Sequence, residues 1–159
     1  MATHKNNLSS FNKNNIPLAK GFSFGIIVSE WNNEITSSLL DSTKNTLIEC
    51  GVLKKNISVL KVPGSYELIY GAKVMSKQGF DGLICLGSII KGETKHFDFI
   101  CNAVANGIME LNLILDIPVI FGVLTDNTIK QAKERSGGKH GNKGVESAIT
   151  AIKMVNLNV

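Results

Sequence analysis

From Phe22 onward the chain alternates between short unbroken apolar runs and longer segments in which apolar residues recur every three or four positions. The runs FSFGIIVS (22–29), ISVLKV (57–62), DGLICLGS (81–88) and PVIFGVLT (118–125) read as strands buried on both faces. Between them the spacing turns helical. Ile35, Leu39, Leu40, Thr43, Leu47 and Ile48 share one face up to a stop at Gly51. A second helical segment runs from Tyr66 to Gln78 and ends at Gly79, and a third begins near Thr94 and carries Phe97, Ile100, Cys101, Val104, Ile108 and Leu111 on one stripe. Thr128 to Arg135 reads as a short helix, SGGKHGNKG (136–144) as a glycine-rich break, and Val145 to Leu157 as a final helix. Strands alternating with helices predict parallel pairing and a three-layer α/β sandwich around a four-stranded sheet. Ligands of such sheets sit outside the carboxyl ends of the strands, so the loops that follow the strands are where chemistry is expected.

Composition narrows the picture. A chain of 159 residues suits one domain (21–159) behind a polar leader (1–20), rich in Asn, Lys and Ser, with Pro17 near its end. The leader lacks the apolar stretch of a secretory signal, which points to the cytoplasm. The longest apolar candidate, Ile114 to Leu124, is broken by Asp116 and Pro118, so no membrane span is expected. With 43% apolar residues and a mean hydropathy of +0.11, the chain is greasy for a small monomer, and self-association is expected. Three cysteines, Cys50, Cys85 and Cys101, lack the close pairing of a zinc site and read as buried free thiols. The net charge is +4, but Lys5, Lys13 and Lys20 all precede the first acid, Glu30. The body therefore carries 14 basic against 13 acidic residues, a net +1 that argues against a nucleic-acid surface. Arg135 is the only arginine among 17 basic residues, and its planar fork suits two-point binding of phosphate or carboxylate.

The loops carry the candidates. After the first strand, Trp31 either covers the core or stacks a flat heterocycle, and Asn32 either caps the next helix or binds a polar ligand tail. After the second, Pro63-Gly64-Ser65-Tyr66-Glu67 forms a rigid turn whose Glu67 favours a helix N-terminus or accepts from a ligand hydroxyl. After the third comes Ser88-Ile89-Ile90-Lys91-Gly92-Glu93-Thr94-Lys95-His96. Gly92 permits close backbone approach, and the amides around Glu93 and Thr94 open a helix suited to a phosphate. The P-loop spacing is absent, which disfavours nucleotide triphosphate chemistry. His96, one turn from that phosphate, is the candidate acid/base. Phe121, Arg135 and Lys143 follow the fourth strand, where residues 130–143 hold five basic side chains against the single acid Glu134. That run is either a solvated face or the closing side of a phosphate site.

Taken together, SEWNNEI, VPGSYEL, LGSIIKGETKHFDFI, IPVIFGVLT and QAKERSGGKHGNKGVESA, in this order from Phe22 to Leu157, resemble the lumazine synthase family. The resemblance implies a flavodoxin-like fold with strand order 2-1-3-4. It also implies condensation of 5-amino-6-(D-ribitylamino)uracil with 3,4-dihydroxy-2-butanone 4-phosphate to 6,7-dimethyl-8-ribityllumazine, the penultimate step of riboflavin biosynthesis, without metal or organic cofactor. By position, Trp31 would stack on the pyrimidine, Asn32, Ser65, Tyr66 and Glu67 would meet the ribityl chain or ring, and Ser88, Ile89 and Ile90 would line the ring pocket. Glu93 and Thr94 match the phosphate cradle and His96 the proton-transfer residue. Phe121 and Arg135, with Lys143 close behind, match groups lent by a neighbouring subunit. The family forms cyclic pentamers, and GGKHGN (137–142) is similar to the kink of relatives that close into 60-subunit icosahedral shells, for which riboflavin synthase is a candidate cargo. Lys91 stands where arginine is common, and Lys95 where a small or polar residue is common. An archaeal-type riboflavin synthase and a non-catalytic flavin-binding or cargo-holding shell are the rival readings. A response-regulator-like switch lacks its acidic cluster.

Overall fold

The computed structural model describes Ser9, Phe11 and residues 15–158, so most of the leader lies outside the described residues. The elements are β1 (Phe24–Ser29), α1 (Asn33–Glu49), β2 (Ile57–Val62), α2 (Leu68–Met75), β3 (Gly82–Ile90), α3 (His96–Ile114), β4 (Val119–Asp126), α4 (Ile129–Arg135), β5 (Ser136–Gly138), β6 (Gly141–Asn142) and α5 (Lys143–Val155). Strands β1 to β4 form one parallel sheet in the order β2-β1-β3-β4, the expected flavodoxin-like topology.

The period of two along each strand divides the core into two layers. Phe24, Ile26 and Val28 of β1, with Ile84 and Leu86 of β3, meet Ile35, Leu39 and Leu47 of α1 and Ala148, Ala151 and Ile152 of α5. Ile27, Leu83 and Cys85 point the other way, onto Leu68, Ala72 and Met75 of α2 and Val104, Ile108 and Leu111 of α3. Each such large side chain is worth about 2–5 kcal/mol against truncation to alanine. At Gly144 a Cβ would lie 2.1 Å from the Leu39 carbonyl oxygen, so glycine is what lets α5 approach the backbone of α1.

Several boundaries differ from the sequence reading. Strand β3 continues through Ile90 because its ladder with β4 extends to the pair Ile90 and Asp126. Helix α2 is shorter than expected: Tyr66 and Glu67 belong to the turn before it, and residues 76–78 form a 3-10 turn. Helix α3 starts at His96, not Thr94. The glycine-rich break is a small antiparallel hairpin, β5–β6, after which Asn142 caps α5 by accepting the Gly144 amide at 2.7 Å, so that helix starts at Lys143. Those turns rest on polar side-chain bonds, which leave no trace in an apolar periodicity. At the start of the chain, Ala19 is fully buried and Ile16 packs on the α1–α5 layer. No helix among the described residues is long and apolar enough to cross a membrane.

Candidate active site

The carboxyl ends of β1, β2 and β3 open into a cleft of about 590 Å3. Two backbone bonds tie its first two walls together: the Glu30 amide donates to the Val62 carbonyl at 2.8 Å and the Trp31 amide to the Pro63 carbonyl at 3.1 Å. Trp31 is 72% exposed at the mouth, so it does not cover the core. Asn32 has φ 56° and ψ 47°, the left-handed region, where a non-glycine residue carries a cost of about 1 kcal/mol. It occupies the cap position of α1 without a side-chain cap bond. Its Nδ2 instead donates to the Ser88 carbonyl at 2.9 Å, which joins the end of β1 to the end of β3.

The β2 loop brings Ser65, Tyr66 and Glu67 along the second wall. A Cβ at Gly64 would come 2.9 Å from Glu67 Oε2, so that glycine leaves the carboxylate room to fold back over the turn. On the third wall Ser88 is 1% exposed, and its hydroxyl has no hydrogen-bond partner among the described residues. His96 is the first residue of α3, and its amide donates to Thr94 Oγ1 at 3.3 Å. Trp31, Asn32, Ser65, Tyr66, Glu67, Ser88, Ile89, Ile90, Thr94 and His96 thus line one cleft. Glu93 is exposed in the same loop but is not part of that lining. The sequence reading assigned Phe97 and Ile100 to the helical stripe alone, yet both also line the cleft. Ile100 lies one turn beyond His96, and that spacing was the available signal.

Phe121, Arg135 and Lys143 lie elsewhere. Phe121 and Lys143 line a second cleft of about 320 Å3 beside β4 and α5, together with Glu146 and Ser147. Arg135 reaches Glu146 Oε1 through Nη2 at 3.0 Å and donates from Nη1 to the His140 carbonyl at 3.0 Å. Lys143 Nζ lies 3.2 Å from Glu146 Oε2. Glu146, only 8% exposed, is therefore flanked by two cations, a role its spacing of three from Lys143 signals only once Lys143 is known to be helical. The remaining basic run is partly neutralised: Lys133 pairs with Glu34 at 2.7 Å and Lys139 with Glu134 at 3.7 Å. Helix α4, which delivers Arg135, begins with a capping box in which the Gln131 amide donates to Thr128 Oγ1 at 3.2 Å. The thiols differ from expectation in degree. Cys85 is buried, with burial pushing its pKa up to about 12, whereas Cys50 and Cys101 are only partly covered.

The first cleft can hold a flat ring beside an aromatic plane, offer hydroxyls and a carboxylate to a polyol, and present an imidazole at a helix N-terminus. Along the second edge Arg135 and Lys143 share the single carboxylate of Glu146, which leaves one net positive charge to meet an anion.

Comparison with known proteins identifies the family. A family model described as 6,7-dimethyl-8-ribityllumazine synthase matches residues 21–159. A protein of that name from Christiangramia forsetii is 58% identical over 159 residues, covering 99% of this chain and 95% of the relative. Its counterpart in Flavobacterium psychrophilum is 56% identical, covering 99% of this chain and 84% of the relative. The Parabacteroides distasonis protein is 50% identical, covering 99% of both.

Proposed function

The chain belongs to the 6,7-dimethyl-8-ribityllumazine synthase family, and we propose that its active site is complete only where the cleft of one copy meets the Phe121 edge of the next. The protein is a transferase of riboflavin biosynthesis. It condenses 5-amino-6-(D-ribitylamino)uracil with 3,4-dihydroxy-2-butanone 4-phosphate, releasing phosphate and water.

One observation carries the shared site: the ring-binding and proton-transfer groups line one cleft, while Phe121 and Lys143 line another, with Arg135 tied to its Glu146. The pyrimidine stacks on Trp31 and is closed from the far side by Phe121 of the neighbouring copy. Asn32, Ser65, Tyr66 and Glu67 take the ribityl hydroxyls, and the backbone of Ser88, Ile89 and Ile90 reads the ring edge. The butanone phosphate rests on the loop amides at Glu93 and Thr94, gripped by Arg135 and Lys143 of the neighbour. Holding two substrates in register makes their encounter effectively unimolecular, a gain that reaches several kcal/mol. The substrate's primary amine attacks the ketone and water leaves to give an imine. Phosphate departs toward the cationic edge, and His96 moves protons before ring closure.

Exposed Phe99, Leu113 and Ile114 on α3 support association, since a helix of 19 residues that buries only Val104, Ile108 and Leu111 leaves apolar surface to cover. A cyclic pentamer of the 17.2 kDa chain weighs about 86 kDa, and a shell of twelve pentamers about 1 MDa. The shell is the assembly we favour, cytoplasmic, with riboflavin synthase as cargo.

Mixing the purified protein with both substrates and following the lumazine chromophore tests the activity; riboflavin formed from lumazine alone would instead mark the rival synthase. Complementation tests the sharing. His96→Ala and Arg135→Ala chains, each strongly impaired alone, should recover up to about a quarter of full activity when unfolded and reassembled together. No recovery, with ring assembly verified by sedimentation, would show that each site is built within one chain.

A further inference from the structure

The segment between the two phosphate-gripping cations is held by two serines to which the reaction scheme assigns nothing. Arg135 immediately precedes the β5–β6 hairpin and Lys143 immediately follows it, so residues 136–142 set the spacing of the two charges. The guanidinium itself bridges the hairpin and α5: Nη1 donates to the His140 carbonyl at 3.0 Å, and Nη2 lies 3.0 Å from Glu146 Oε1. A shift of the hairpin against α5 therefore turns the fork. Asn142 is the joint between them. It is buried, pairs with Ser136 across the hairpin, and caps α5 through Oδ1. Its φ of −129° and ψ of 119° are extended, a conformation in which the amide and carbonyl of one residue project to the same side. Ser9 of the polar leader meets both: its Oγ accepts from the Asn142 amide and donates to the Asn142 carbonyl at 3.1 Å. One hydroxyl thus supplies the acceptor and the donor that a neighbouring strand would offer. From α1, Ser38 Oγ donates to the Ser136 carbonyl and accepts from Asn142 Nδ2 at 3.3 Å.

We propose that Ser9 is a positioning residue for the phosphorylated substrate: with Ser38 it fixes the hairpin, so that Arg135 and Lys143 keep one geometry before the phosphate binds. The inference rests on the assignment of Arg135 and Lys143 to phosphate made above. The hairpin depends on such bonds. Gly137 and Gly141 hold φ of 125° and 82°, and none of residues 136–142 belongs to either apolar layer of the core. Polar contacts rather than packing therefore decide where it lies. A fork left to swing would have to be ordered at the moment of binding, which weakens affinity for the anion without touching the chemistry. The pyrimidine, held on the other copy's cleft, lies outside this effect.

Ser9→Ala removes both bonds and nothing else of the side chain's size. In the assembled enzyme it should raise the KM for the butanone phosphate about 5-fold and weaken inhibition by inorganic phosphate in parallel, the scale of the net contribution of one or two hydrogen bonds. The KM for the pyrimidine and kcat should stay constant, a split that general loosening of the fold would not produce. Ser9→Thr, which keeps a hydroxyl, should restore the parent values. Ser38→Ala loosens the same hairpin from α1 and gives the same readout should the first variant assemble poorly. Unchanged phosphate constants in an assembled Ser9→Ala enzyme, an equal rise in both KM values, or no recovery with threonine overturns the role of Ser9. If Arg135→Lys also leaves phosphate inhibition and the KM for the phosphorylated substrate unchanged, the phosphate assignment of Arg135 itself falls; if only the serine variants are silent, that assignment stands and the role of Ser9 falls alone.

Discussion

At the ends of β1 to β3, polar and aromatic side chains face an open cleft, with Trp31, Tyr66 and Glu67 turned to solvent. Along the β4 edge, Arg135 and Lys143 share the one carboxylate of Glu146, and Arg135 is only 14% exposed. The first region is shaped by backbone: a left-handed Asn32, the Gly64 turn and the helix start at His96. The second is shaped by side-chain charges. A flat, nearly neutral ring needs a surface to lie on, whereas an anion needs donors already aligned, because orienting charged side chains after binding costs free energy. The two halves thus differ in what they hold ready.

Substitutions in each half should sharpen that contrast. The largest effect belongs to the open cleft: His96→Ala should lower kcat by roughly 10²-fold with little change in either KM, as measured by lumazine formation. Unaltered turnover would remove His96 from proton transfer. On the charged edge, Arg135→Lys keeps the charge but loses the fork, and the KM for the butanone phosphate should rise by about 10-fold while that for the pyrimidine holds. Equal rises in both would blur the division between the halves. Thr128→Ala breaks the capping box of the helix that carries Arg135 and should cost about 1 kcal/mol in denaturant unfolding. A variant as stable as the parent would mean that α4 is held by its neighbours alone. The smallest effect is expected in the core between the halves. With Cys50 and Cys101 changed to Ser, Cys85, its pKa pushed up to about 12, should stay unlabelled by a thiol reagent at pH 8 until the protein is unfolded. Only about one thiol in 10⁴ would be ionised there. Rapid labelling of the folded protein would reveal an opening of the sheet that the packing does not suggest.

Periodicity made the sheet and its helices legible because burial on both faces writes itself into apolar runs: the strand readings ending at Ser29, Val62, Ser88 and Thr125 match the observed strand ends to within two residues. It said little about turns. The strands of the β5–β6 hairpin consist of Ser, Gly and Asn, and the bonds from Asn142 that fix it are polar side-chain choices. In the cleft, the motifs after the strands identified ten of the lining residues because strand ends converge by topology alone. The separation of Phe121, Arg135 and Lys143 from that cleft entered only through the family resemblance, since one chain read in isolation has no neighbour. Glu146 escaped notice altogether. An acid on a helix looks ordinary until its burial beside Arg135 is seen.

Helix α1 is preceded by its cap residue Asn32, whose side-chain amide joins the walls of the first cleft, and further along it Ser38 donates to the Ser136 carbonyl while accepting from Asn142, clasping the hairpin beside Arg135. One short rod, about 9 Å from Asn32 to Ser38, thus sets the bearing between the first cleft and the β4 edge of the chain. In the ring of five proposed above, every copy would turn about 72° from the last, and an error of about 5° per copy would accumulate to roughly 25° by closure. The circumference of that proposed ring would be gauged by a helix that contributes little to the chemistry, and altering its pitch or tilt would change how many copies meet before any substrate is involved.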